Sequence, residues 1–161
     1  MDNDPAHTEA LRMLARRELS TEGVRSRLED RGFGRDEIED AIARLLASGA
    51  LDDARAARAY ARTATNVKGR GRLRVMRELL QMGIHADIAS EALGEVFGEL
   101  DERALIARAL QKKLRGRAKP GTPAEHARLY QYLMRQGFSP AGVTAALRRL
   151  RSGRGAGTEE E

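Results

Sequence analysis

The chain has 161 residues, of which 33% are charged and 4% aromatic, with no cysteine and a net charge of +5. The lack of cysteine excludes disulfides, thiolate catalysis and cysteine-ligated metal. The longest apolar run, Ala104 to Ala107, is too short to span a membrane, and Met1 to Glu9 carries acids where a secretory signal has basic residues and an apolar core, so a cytoplasmic protein is expected.

Apolar residues spaced by three and four predict nine helices and no strand. The first is expected over residues 5–18, with a stripe of Ala10, Leu11, Leu14 and Ala15. The second, over 21–31, opens on Ser20 as an N-cap, carries Val24 and Leu28, and runs into Gly32-Phe33. The third, over 35–48, carries Ile42 and Leu45 and closes at Gly49. Asp52 caps a fourth over 52–64, with the stripe Ala56, Ala57, Tyr60 and Ala61. A fifth over 69–82 carries Val75 and Leu79 and ends in Gly83-Ile84. A sixth over 86–97 carries Leu93 and Val96 and closes at Gly98. Asp101 caps a seventh over 101–115, with the stripe Leu105, Ile106, Ala109 and Leu110. Thr122-Pro123 opens an eighth over 123–136, which carries Leu129 and Leu133 before Gly137-Phe138. Ser139-Pro140 opens a ninth over 140–151, with Leu147 and Leu150, closed by Gly153. The closing glycines Gly49, Gly98 and Gly153 are expected to take the left-handed position after a helix. The glycine-rich and then acidic stretch from Gly153 to Glu161 is expected to be disordered.

The helices repeat three by three. A marker of Leu, three residues, Gly and an apolar residue recurs at Leu28…Gly32-Phe33, Leu79…Gly83-Ile84 and Leu133…Gly137-Phe138, with glycines 51 and 54 residues apart. Repeats of this length predict an all-α protein of three tandem three-helix, helix-turn-helix-like units in an elongated, curved array. The expected units are 1–49, 50–98 and 99–152, with 153–161 outside them. One such unit has few large apolar residues, so stacking on its neighbours is its expected source of stability.

Charge is uneven along the chain. Residues 1–67 hold 11 Lys/Arg against 13 Asp/Glu, and residues 68–161 hold 18 against 11. One basic cluster is Lys68, Arg70, Arg72, Arg74 and Arg77; the other is Arg108, Lys112, Lys113, Arg115, Arg117 and Lys119. Such asymmetry suits a polyanion or an acidic protein face, with solvated helix surfaces as the bland alternative. Cations near the end of the seventh helix favour its dipole. Those at the start of the fifth oppose it, which makes them the stronger functional candidates.

Other candidates carry less. Lys68-Gly69-Arg70-Gly71 lacks the preceding strand and the Gly-Lys-Ser/Thr ending of a phosphate loop. His7, His85 and His126 share no metal-ligand spacing, and Asp52-Asp53 and Asp101-Glu102 read as helix starts. No nucleophile, base and orienting group stand at a recognisable spacing, so no enzyme, cofactor or metal is expected. Tyr130 reads as core and Tyr132 as exposed, where it would stack on an unpaired base.

The chain resembles the RecX family, bacterial regulators of the RecA recombinase, over about Ala6 to Arg151. The likeness rests on Ser20…Leu28…Gly32-Phe33, on Gly49-x-Leu51-Asp52-Asp53, and on Lys68-Gly69…Glu78-Leu79…Gly83-Ile84. It continues in Lys112-Lys113 and Leu133…Arg135-Gln136-Gly137-Phe138. The resemblance implies three tandem three-helix repeats and no catalysis. It also implies binding in the groove of the RecA–DNA filament, with inhibition of ATPase, strand exchange and coprotease activity. Weak direct binding of single- or double-stranded DNA belongs to the same expectation, as does a place in recombinational repair and the SOS response. The eleven clustered cations are the candidate RecA- or DNA-binding residues, and a monomer is expected. A DNA-binding protein acting alone and a general helical scaffold remain as alternatives.

Overall fold

The structure, a computed structural model, describes residues 4–117 and 119–153. Among the described residues it holds nine helices and no strand: α1 (Pro5–Arg16), α2 (Thr21–Asp30), α3 (Arg35–Ser48), α4 (Asp53–Asn66), α5 (Arg72–Gln81), α6 (Ala86–Phe97), α7 (Glu102–Leu114), α8 (Pro123–Gln136) and α9 (Pro140–Ser152). The chain separates into two compact units, Met1–Thr63 with Met76–Val96, and Ala64–Val75 with Phe97–Glu161. Both α4 and α5 are divided between them.

The repeated marker is a helix terminator. The N–H of Phe33, Ile84 and Phe138 donates to the carbonyl of Leu28, Leu79 and Leu133, and the N–H of Gly32, Gly83 and Gly137 to that of Glu29, Leu80 and Met134. This is the Schellman pattern, and it requires the glycine to be left-handed. The three glycines have φ of +83°, +77° and +98°. The leucine and the apolar residue after the glycine are then both turned into the core. Leu28, Leu79, Leu133, Ile84 and Phe138 are buried, and Phe33 is partly so.

Two of these turns also receive the start of another helix. In the first unit, Ser20 caps α2 through its Oγ and donates the same hydroxyl to Met82 O at 2.7 Å. In the second unit, the Gly71 N–H donates to Gln136 O at 2.7 Å and the Leu73 N–H to Gly137 O at 3.1 Å. The amides at the start of α5, which have no partner inside their own helix, are thus satisfied by the end of α8. The approach leaves no room for a side chain: a Cβ on Gly71 would lie 2.6 Å from the Gly137 carbonyl, and one on Gly137 2.4 Å from Arg74 N.

In the first unit α1, α2 and α3 enclose Ala10, Met13, Leu19, Val24, Leu28, Ile38, Ile42, Leu45 and Leu51. In the second, α7, α8 and α9 enclose Ile106, Leu110, Leu129, Leu133, Phe138, Val143 and Leu147. The paired acids act at helix starts. Asp52 and Asp101 accept amides of their own first turns, Arg55 N and Arg103 N. Asp53 reaches across to Thr21 N at 2.7 Å, and Glu102 to Ser139 N at 2.7 Å, so each fixes the start of a second helix.

Four sequence expectations change. Helix α5 starts at Arg72 instead of residue 69, because Gly69 is left-handed at φ +65° and the Arg70 N–H turns back to Ala64 O. Of the closing glycines only Gly49 is left-handed; Gly153 keeps φ −64° and Gly98 is not among the positive-φ glycines. Helix α1 buries Ala6, Ala10 and Met13, leaving Leu11 41% exposed, since small residues let it approach its neighbours closely. Tyr132, expected at the surface, is partly buried against the same cluster as Tyr130. The expected disorder beyond Gly153 lies outside the described residues.

Candidate functional site

The units differ sharply in charge. The first holds 12 Lys/Arg against 17 Asp/Glu, a net −5; residues 64–75 and 97–153 of the second hold 16 against 4, a net +12. The ion pairs Arg25–Glu39, Arg31–Glu9, Arg44–Asp4, Arg55–Glu18 and Arg58–Glu95 all lie in the first unit. There the Glu39 hydrogen bond raises the Arg25 pKa and Arg25 lowers that of Glu39.

Within the second unit, packing brings parts of both basic clusters together. Lys68, Lys112, Lys113, Arg115, Arg117 and Tyr132 line a groove of about 380 Å³ that has no carboxylate on its walls. Helix α7 buries Ile106, Ala109 and Leu110, and at its end carries Lys112 and Lys113 exposed. Arg115 then stands left-handed at φ 43°, followed by Gly116 at φ +73°, and these two residues reverse the chain. Arg115 is the one non-glycine with positive φ among the described residues. That conformation costs an L-residue about 1–2 kcal/mol. The Lys113 Nζ lies 4.7 Å from the Tyr132 ring centroid, within cation–π range. Lys68 joins the groove because the connector after α4 is drawn against the end of α8 by Gly71. Arg108 supports the same arrangement, donating through Nη2 to Asn66 O at 3.1 Å.

The remaining candidates are elsewhere. Arg74 reaches Arg135 O at 3.4 Å, at the carbonyl end of α8. The cation that opposes the dipole of its own helix therefore meets the favourable end of another. Arg70 is half-buried, Arg72 lines a separate groove with Leu73 and Leu100, and Lys119 contacts Gly153 O at 3.4 Å. Arg77 belongs to the first unit.

Two cations were missed from the sequence. Arg128 and Arg135 line an adjoining groove that shares Lys113, Arg117 and Tyr132 with the first. Their signal was present: with Tyr132 they stand at i, i+4 and i+7 on α8 and share a face. The adjoining groove also carries Glu125; the first, carboxylate-free and rimmed by guanidinium and ammonium groups around one aromatic ring, suits the phosphates and bases of a nucleic acid or an acidic protein surface. Among the described residues, no group of three His, Cys, Asp or Glu side chains is placed to hold a metal ion.

Comparison with known proteins agrees with the architecture. Models of the first, second and third three-helix domains of RecX match residues 6–45, 52–93 and 101–147. The regulatory protein RecX of Treponema pallidum (strain Nichols) is 36% identical over 139 residues, which is 86% of this chain and 80% of that protein. Its counterpart in Pelodictyon phaeoclathratiforme is 32% identical over 145 residues, 90% of this chain and 88% of the other. The crystal structure of RecX from Lactobacillus salivarius superposes with a TM-score of 0.75 at 20% identity, covering 94% of this chain and 99% of that one.

Proposed function

This chain belongs to the RecX family, and we propose that it inhibits a RecA recombinase by binding the RecA–DNA filament. It acts as a cytoplasmic monomer and without catalysis. The basic face of its second unit meets the filament's polyanionic surface, and the bound protein suppresses ATP hydrolysis, strand exchange and coprotease activity. The carrying observation is the carboxylate-free groove of Lys68, Lys112, Lys113, Arg115 and Arg117 in a unit of net charge +10 over its full sequence. A ligand held at several such groups along a filament resists the subunit motions that accompany ATP turnover.

The test is ATP hydrolysis by RecA on single-stranded DNA with added protein. The wild-type chain is expected to depress the rate. The variant with Lys112, Lys113, Arg115 and Arg117 all changed to Glu is expected to leave it unaltered while folding normally. A flat rate with saturating wild-type protein would refute the proposal.

Tyr132 beside Lys113 favours a second reading, direct contact with single-stranded DNA. Five groove cations neutralising five phosphates would give a salt slope of roughly −3.5 for log affinity against log salt. A strong, salt-sensitive affinity for DNA in the absence of RecA, with no effect on hydrolysis, would favour this reading over the first.

A further inference from the structure

Counted from the marker glycines Gly32, Gly83 and Gly137, the twelfth residue is Arg44, Glu95 and Arg149, each on the third helix of its repeat. In the first repeat Arg44 pairs at 3.3 Å with Asp4, the N-cap of α1. In the second, Glu95 pairs at 3.6 Å with Arg58 of α4. An ion pair thus ties the first helix of each of these repeats to the third. The third repeat breaks the pattern. Arg149 of α9 lines one groove with Arg103 and Arg108 of α7, joined by Lys119. All four are exposed cations, and among the described residues no carboxylate pairs with any of them.

This groove, of about 690 Å³, lies between α7 and α9. Ala104 and Ala107, one turn apart on α7, are exposed along it, and Leu114 and Leu150 are half-buried in its lining. Exposed alanines let another helix approach closely, and leucines that water half covers are stabilised by an apolar partner. Neither an aromatic ring nor a carboxylate lines the groove, so it lacks the stacking surface that Tyr132 gives the Lys68–Lys112 groove. A nucleic acid would meet its cations and leave its leucines uncovered. A helix with leucines on one face and glutamates on the flanks meets both.

We propose that the α7–α9 groove is a docking site for an acidic amphipathic helix of a partner protein. The apolar face of that helix lies along Ala104, Ala107, Leu114 and Leu150. Its carboxylates pair with Arg103, Arg108, Lys119 and Arg149, in place of the internal ion pair that the other two repeats possess. The inference stands apart from the filament reading, which rests on the Lys68–Lys112 groove.

The probe is a synthetic fluorescein-labelled peptide matched to the 13 residues of α7, with leucine at i, i+3, i+7 and i+10 and glutamate or alanine elsewhere. Fluorescence anisotropy with the full chain is expected to show binding. Amide NMR shifts caused by the unlabelled peptide are expected to centre on Ala104, Ala107 and Leu150. Affinity is expected to fall by at least about tenfold with Ala107→Trp, which fills the groove at an exposed position without changing charge. A similar loss is expected when Arg103 and Arg149 are both changed to Glu, and when the peptide's leucines are replaced by serine. No binding, equal affinity for the serine peptide, undiminished affinity in the folded Ala107→Trp protein, or shifts centred on Lys112 and Lys113 would each overturn the proposal. So would a single-stranded thymidine oligonucleotide that shifts the same α7 amides at comparable affinity.

Discussion

A methyl group on Gly137 would collide with the backbone of Arg74, whereas one on Gly32 would meet nothing within 4 Å, although both glycines are left-handed. The two positions separate conformational cost from packing cost. Gly32→Ala is expected to lose about 1–2 kcal/mol, the cost of a left-handed L-residue. Gly137→Ala is expected to lose that and about 1–3 kcal/mol more through overpacking. Urea unfolding of the two variants checks the difference; equal losses would mean that the turn at Gly137 yields without cost. Ser20→Ala removes a cap and the bond to Met82 O and is expected to cost about 1 kcal/mol by the same measurement. The threefold marker was legible because a Schellman turn imposes Leu, Gly and an apolar residue at fixed spacing. What each turn packs against was not, because Ser20 and Gly71 use different donors, one a side chain and the other the backbone, at the same distance before their own marker glycine.

Helix α8 shows how an element start fixes the basic loop before it. Thr122 and Glu125 form a reciprocal capping box, and Glu125 Oε2 accepts Gly121 N at 2.6 Å and Thr122 N at 3.0 Å. Those two amides hold the Glu125 carboxyl below the ordinary glutamate range. Since the folded-state value is the lower one, the box contributes fully above the ordinary glutamate value and is lost as pH falls through the depressed one. A carboxyl NMR titration is expected to give Glu125 a midpoint below that of a free glutamate; a midpoint at or above it would contradict the contact. Most helices can be read from apolar spacing and cap residues, and the eighth, Thr122-Pro123 onward, has the bounds the sequence predicts. The start of α5 is not legible in this way, because Lys68-Gly69-Arg70-Gly71 has helix-compatible spacing and is held out of the helix by the Ala64 carbonyl six residues before Arg70 and by the distant Gln136. The shifted stripe of α1 has a similar origin: its alanines are chosen by close approach, which periodicity alone does not distinguish from exposure.

At the scale of the molecule, folding sharpens a charge asymmetry that the linear sequence shows only faintly. Halves cut at residue 67 differ by −2 against +7, whereas the compact units, counted over the full sequence, differ by −5 against +10. The reason is that residues 76–96, which hold Arg77 against Glu78, Asp87, Glu91 and Glu95, belong to the first unit. The basic clusters are legible as sequence runs; the meeting of Lys68 with Lys112, Lys113, Arg115 and Arg117 in one groove, and the contribution of Arg128 and Arg135, depend on tertiary packing. Matched charge reversals test whether that groove is the working face. One variant changes Lys112, Lys113, Arg115 and Arg117 to Glu; the other changes the exposed first-unit residues Arg12, Arg16, Arg17 and Arg62 to Glu, with the same change in net charge. The deciding measurement is the affinity of each folded variant for RecA filaments on single-stranded DNA. The account predicts a loss on the order of tenfold or more for the second-unit variant and little change for the first-unit variant. Equal affinities for the two variants, or a loss confined to the first-unit variant, would contradict it.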